Sequence, residues 1–381
     1  LKAAGNSGTS SWFQRFLLPG FAFKAVVIGG GYATGRELAE FFLGSGPRGG
    51  MQAMLLAMMI WSVVCAVTFM FARAISAYDY RTFFKSLLGP FWIIFEASYV
   101  LLLILILAVV AAAAGTIGET LMGWPGWAGT ALLLVSIIAV TSFGNEGAEG
   151  LFRYTSTFIY LVYALFVVLA LLSFGDRIGP QLARPIPTDG WVIGGITYAS
   201  YNVIGAVAIL PFLKHFTSQR DALVAGLLSG PLAMVPALLF FLCMIAYYPE
   251  IGREALPSDF LLRQIGTPWF HFLFQAMIFC ALLETGVGIV NGLNERIDAG
   301  YQARRGVAVS PRARFTISAL LVIGSGVIAG RFGLVALIAS GYTAFGYIMV
   351  VIYILPLLTL GVYRLVTRSS ALPHEPAAHR T

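Results

Sequence analysis

The sequence predicts an all-α integral membrane protein of ten transmembrane helices, arranged as two halves of five. Three observations carry that prediction. Of the 381 residues, 59% are hydrophobic and only 11% carry formal charge, against about 45–50% and about 25% in soluble globular domains. Apolar runs of the length a hydrocarbon core needs, about 20 residues each, recur ten times along the chain. Runs one and six, of equal rank in the two halves, are both interrupted by small and polar residues at mid-membrane depth. A soluble enzyme, a secreted disulfide scaffold and a disordered chain are excluded.

The runs lie near 14–43, 51–77, 91–120, 126–143, 150–174, 190–215, 221–248, 267–294, 313–330 and 333–365. Charged or Pro/Gly-rich breaks separate them. Between runs seven and eight, Pro249 to Gly266 is too polar to cross, and Phe260-Leu261-Leu262 after Leu256-Pro257-Ser258-Asp259 predicts a short surface helix. Run eight opens at Pro268 and ends in Asn294-Glu295-Arg296. The first run leads into glycines and acids rather than a cleavage site, so no secretory peptide is expected. Cys65, Cys243 and Cys280 all sit inside apolar runs, so no disulfide framework is implied.

The net charge of +7 is read as topology, because lysine and arginine in cytoplasmic loops set orientation; no nucleic-acid partner is expected. With the amino terminus inside, 17 of the 24 basic residues fall on the inner side. That division places both termini in the cytoplasm, and the cell inner (plasma) membrane is the expected location. It gives an amino-terminal segment at 1–13, a first five-helix repeat at 14–174 and an extracellular loop at 175–189. A second five-helix repeat follows at 190–365, then a disordered cytoplasmic tail at 366–381.

Run one carries Gly29-Gly30-Gly31-Tyr32-Ala33-Thr34-Gly35 at mid-depth, where each glycine weakens a helix by about 1 kcal/mol relative to alanine. Run six carries Tyr198-Ala199-Ser200-Tyr201-Asn202, with Gly194 and Gly195 before it and Pro211 after. Interrupted spans at matching positions of two halves point to a secondary transporter's binding site. A close helix crossing through small residues is the alternative.

Ile28-Gly29-Gly30-Gly31-Tyr32-Ala33-Thr34-Gly35-Arg36-Glu37 resembles the signature of the YkvI-like membrane proteins, amino-acid permeases of the amino acid–polyamine–organocation superfamily. Tyr198 to Asn202, and Glu284-Thr285-Gly286-Val287-Gly288 with Asn294-Glu295-Arg296 downstream, are similar to the same family. The resemblance covers nearly the whole chain. It implies the inverted repeat of the leucine-transporter (LeuT) fold, helices 1 and 6 interrupted, with substrate held between spans one, three, six and eight. Lys24 and Glu284 then fall near the place where sodium-coupled relatives hold their cation.

An ionisable side chain at the bilayer centre costs about 2.5–3.5 kcal/mol on insertion scales, so Glu284, mid-way along run eight, and Lys24, five residues before the glycines, are candidate coupling groups. The expectation is a Lys24–Glu284 pair, with Thr285 beside it, that supplies proton coupling or sodium-independent exchange. Snorkelling of Lys24 and a structural network around Glu284 are the alternatives. Arg36, Glu37 and Glu119 are expected at an outer gate, with Glu119 substituting for an acid that run ten lacks. Glu96 reads as an interfacial or network residue, and Tyr342 and Tyr347 as packing aromatics.

No lysine follows a glycine, so a Gly-Lys-Ser/Thr phosphate loop is impossible and an ATP-driven pump is excluded. The four histidines show no paired-ligand spacing, and no metal or cofactor is expected beyond a coupling H+ or Na+. The function expected is secondary active transport of a small zwitterionic solute, an amino acid or derivative, by alternating access. Gly29, Gly31, Tyr32, Ala33 and Thr34 would meet its carboxylate, and Ser200, Tyr201 and Asn202 its ammonium. Rival readings are a sodium-coupled symporter of another organic solute and a channel-like protein; a membrane enzyme would need a convergent catalytic set that the spans do not show. Oligomeric state carries no sequence signal.

Overall fold

The computed structural model describes residues 11–142, 144–307 and 309–370; Lys2, Arg380 and the tail from Leu372 onward lie outside them. Backbone amides in hydrocarbon have no water to bond, so a span satisfies them internally. Every regular element among the described residues is helical.

The first span is in pieces. α1 (Trp12–Phe16) opens on a capping box in which Ser11 Oγ accepts from the Gln14 amide and Gln14 Oε1 from the Ser11 amide. α2 (Leu18–Val27) has Pro19 in its first turn, where a missing N–H is harmless. It stops at Ile28, whose backbone (φ −79°, ψ 72°) leaves the helical region. α3 (Gly30–Ala33) is a single turn, and α4 (Arg36–Phe41) starts after Gly35 at φ +78°. A Cβ at Gly35 would stand 2.6 Å from the Phe240 ring, so conformation and space both demand glycine there.

α5 (Gly46–Ala74) begins earlier than the hydropathy run, because Pro47 lies in its first turn. α6 (Tyr80–Leu88) is a helix the hydropathy reading passes over; the Asp79 carboxylate caps it by accepting from the Thr82 amide at 2.9 Å. α7 (Trp92–Met122), α8 (Gly126–Ser142) and α9 (Gly144–Phe174) follow, and α10 (Ile178–Ala183) lies in the expected loop.

Span six corrects the expectation. α11 (Trp191–Asn202) is helical through Tyr198–Asn202, and the interruption falls after it. Val203 keeps a right-handed backbone, α12 (Ile204–Ala208) follows directly, and a 3-10 turn runs from Leu210 to His215. The physical reason is local. Ser200 Oγ donates to Ile196 O at 2.6 Å and Asn202 Nδ2 to Tyr198 O at 3.0 Å, so both side chains bond their own helix. Pro211, which has no N–H, lies in the tightened turn instead.

α13 (Gln219–Ile245) holds Pro231 and Pro236, and α14 (Pro257–Ile265) is the expected surface helix, ended by Gly266 at φ +70°. α15 (Pro268–Arg305) runs well past the expected 294, because charged residues end a membrane run without ending a helix. α16 (Pro311–Ala336) bends at Gly333 (φ 72°, ψ 168°). α17 (Thr343–Met349) and α18 (Val362–Ser370) are set between π-helical turns at Leu337–Tyr342, Val350–Ile354 and Leu357–Gly361. Residues 366–370, expected to be disordered, belong to α18.

Among the described residues, seven helices are long and apolar enough to cross a membrane, and Leu18–Val27 and Gly126–Ser142 are shorter apolar helices. One of the seven, Arg312–Thr367, contains both of the last two expected runs, bent at Gly333. The helices pack in two groups. α5 lies along α13 and α11, and α2 along α13; α7 lies along α8, α16 and α15, and α15 along α9. The α5–α13 contact is close because Gly226 faces the Ala66 backbone, where a Cβ would come within 2.3 Å.

Candidate functional site: a cavity at the break in the first span

A cavity of about 450 Å³ lies where the broken first span faces α7, α11, α15 and Tyr342. Gly29, Glu37, Tyr201, Asn202, Glu284 and Thr285 line it, which brings together six of the residues singled out in the sequence. The break leans on α15: a methyl group at Gly29 would stand 3.7 Å from Thr285 Oγ1. Glu37 is 5% exposed, and its Oε2 accepts the Tyr201 hydroxyl at 2.6 Å. The Tyr201 ring stacks on Tyr342, centroids 4.5 Å apart.

Other expected binding residues stand elsewhere. Tyr32 and Ala33 line a second cavity of about 310 Å³ with Lys24, Tyr160 and Tyr163. Gly31 is in the α3 turn, and Thr34 and Ser200 are buried outside both linings. The Ser200 hydroxyl and one Asn202 donor are already committed to their own helix.

The expected direct pair of Lys24 and Glu284 is not formed. Among the described residues no ion pair joins them. Lys24 Nζ sits over the Tyr160 ring, 4.2 Å from its centroid. Lys24 and Glu284 face adjacent cavities that share Ile28, Ile159, Tyr160 and Ala281 as a wall. The aromatic face of Tyr160 takes the ammonium, an interaction worth about 0.5–2 kcal/mol.

Beyond the break, Arg36 is tied to a distant loop. Arg36 is 6% exposed; its Nη1 donates to Gly252 O and Glu254 O, both at 3.0 Å, and its Nη2 to Glu40 Oε2 at 2.5 Å. Glu119 is therefore not its partner. That residue is exposed at the end of α7, packed beside Gly126. The carbonyl of Thr34, freed by the break, accepts the Ser258 amide of α14 at 3.0 Å.

Arg296 marks the other end of the lining, twelve residues beyond Glu284, or about 18 Å along α15. Its guanidinium lies 4.0 Å from the ring centroids of both Tyr80 and Tyr99. Glu96 Oε1 accepts the Tyr80 hydroxyl at 3.0 Å and stands 4.0 Å from Arg296 Nη1. Sequence reasoning left Arg296, Tyr99 and Tyr160 out of the site and set Tyr342 aside; Tyr347 is 58% exposed, as packing or lipid contact requires. The available signal was register: Tyr99 is one turn from Glu96, and Arg296 lies on the helix that carries Glu284.

No family model matches the chain. The chain is similar to the uncharacterized membrane protein YkvI of Bacillus subtilis (strain 168), 22% identical over 330 residues, 86% of this chain and 91% of that protein. Among solved structures it is similar to the Eremococcus coleocola manganese transporter in complex with an aromatic bis-isothiourea substituted compound. There the TM-score is 0.53 at 13% identity, covering 94% of this chain and 81% of that one. A histidine-to-alanine mutant of that transporter gives a TM-score of 0.51 at 14% identity, with the same coverage. The fold is that of a membrane transporter. Together with the seven apolar spans, these likenesses support a multi-pass membrane protein and are consistent with one that is not an enzyme.

Proposed function

We propose that the chain is a secondary active transporter that moves a small zwitterionic solute, an amino acid or close derivative, by alternating access. The observation that carries this reading is the cavity at the broken first span, with Arg36 and Ser258 bonded beyond the break at one end and Arg296 in the lining at the other. We read this as a site closed on one side, which one state of alternating access requires; a channel needs a continuous polar file instead. In this reading ten spans form two inverted halves, 14–174 and 190–365. Gly126–Ser142 and the two limbs of Arg312–Thr367 count among them. Both termini are cytoplasmic and the membrane is the plasma membrane, so Arg296 faces inward. The group of α2, α5, α11 and α13 would rock against α7, α8, α15 and α16.

The cargo carboxylate would meet backbone N–H groups between Gly31 and Thr34. Lys24 and Glu284 serve as coupling groups through the intervening Tyr160, for H+ or Na+. Manganese is said of the neighbours alone, and the cargo proposed for this chain is organic.

Reconstitution into liposomes tests the reading. Saturable uptake of labelled amino acids, accelerated by unlabelled amino acid inside, supports it; unsaturable flux favours a channel. Uptake that survives complete sodium removal and collapses in Glu284→Gln assigns the proton. Strict sodium dependence with an unchanged response in Lys24→Ala assigns sodium and removes Lys24 from the coupling.

A further inference from the structure

We propose that the Glu37 carboxylate is the anchor for a protonated amine on the cargo, so that the ammonium rather than the carboxylate is the group the protein recognises by charge. The inference rests on the transporter reading and changes which residues hold the cargo. The span-six side chains expected to meet an ammonium are engaged already. Ser200 Oγ donates to Ile196 O, Asn202 Nδ2 donates to Tyr198 O, and the Tyr201 hydroxyl donates to Glu37 itself.

Glu37 has the opposite character. It is 5% exposed, lines the cavity at the break in the first span, and is held in place by the Tyr201 hydroxyl. None of the ion pairs among the described residues involves it. The adjacent guanidinium of Arg36 is turned to Glu40, Gly252 and Glu254, and Lys24 lies over Tyr160 in the second cavity. A carboxylate taken out of water without a cation is costly, and a cation that enters the cavity recovers that cost. The stacked faces of Tyr201 and Tyr342 supply the remaining requirement, since aromatic faces attract ammonium groups. A cavity of about 450 Å³ suits an amino acid or simple amine.

The test is a binding panel on the purified full chain in lipid nanodiscs, read by calorimetry. The probes are the twenty α-amino acids, their decarboxylated amines and their deaminated acids. Members that keep the ammonium bind, including amines without a carboxylate, and their deaminated partners bind at least about tenfold more weakly. Glu37→Gln, whose amide oxygen still accepts from Tyr201, weakens amine binding at least about tenfold. Glu37→Asp, which keeps the charge, weakens it less and keeps the preference for ammonium-bearing probes, so the test stays decisive if Glu37→Gln does not fold. Binding confined to the deaminated acids, or no binding by any ammonium-bearing probe, overturns the proposal. So does amine affinity unchanged in Glu37→Gln with loss only of pH-driven uptake, which assigns Glu37 to the proton. Saturable uptake alongside any of these leaves the transporter reading standing; loss of saturable uptake in the unaltered protein defeats that reading instead.

Discussion

The amide of Ser258 donates to the carbonyl of Thr34 across 3.0 Å, so the surface helix α14 is bonded to the backbone that the break in span one leaves open. Ser258→Pro removes that donor at a helix position whose backbone proline can adopt. One hydrogen bond is worth about 0.5–1.5 kcal/mol. Amide hydrogen exchange at residues 34–36 is expected to quicken several-fold, while the middle of α13 is unchanged. Equal protection at 34–36 in both proteins would show that α14 does not seal the site.

Arg296 narrows the other end of the cavity through two flat contacts, the Tyr80 and Tyr99 rings. Lysine keeps the charge but cannot stack as a plane. Arg296→Lys is therefore expected to widen this mouth almost as much as Arg296→Ala. The readout is thiol labelling of a cysteine placed at Gly292, a lining position, which should label several-fold faster in both variants. Retention of slow labelling in Arg296→Lys would mean that charge alone holds the mouth.

Asp221 accepts six hydrogen bonds: from the Thr217 amide and hydroxyl, the Ser218 amide and hydroxyl, and Nε and Nη2 of Arg15. Arg15 has a side chain 31% exposed, so solvent screens its share. Asp221→Ala is expected to lower stability by about 2–4 kcal/mol, having lost the cap of α13 and its charged bonds. Arg15→Ala should lower stability much less, because solvent screens the pair, and free Trp12–Phe16 for proteolysis. Thermal unfolding in one detergent compares them; equal losses would make the ion pair, rather than the cap, the main contribution.

Gly226 faces Ala66 with no room for a side chain. Gly226→Ala forces the α5 and α13 backbones apart, and overpacking of this kind costs about 1–3 kcal/mol. The same substitution at Gly324, where a Cβ would meet nothing within 4 Å, is expected to leave the unfolding temperature unchanged or raised, since alanine favours helix. A matched loss at both positions would remove crowding as the cause.

What composition and pattern determine by themselves is the solvent and the class of backbone. With 59% apolar residues, the chain must bond its amides within helices. The triple glycine at 29–31 marks the break, because weak helix propensity acts locally and needs no partner. The short helix at Pro257–Ile265 was legible for the same reason, between a proline start and a glycine stop.

Tertiary structure decided the rest. Tyr198–Asn202 reads as an interruption beside its glycines, yet Gly194 and Gly195 serve close approach to Phe41 O and Ala53 O, and the helix stays whole. Lys24 and Glu284 read as a pair at their depth in the bilayer, but depth does not fix helix rotation, and rotation put Tyr160 between them. Arg36 found carbonyls of a loop more than 200 positions away, a contact no local pattern encodes. Hydropathy and glycine placement are properties of short segments; which side chains share a cavity depends on how rigid helices turn against one another, and only packing sets that.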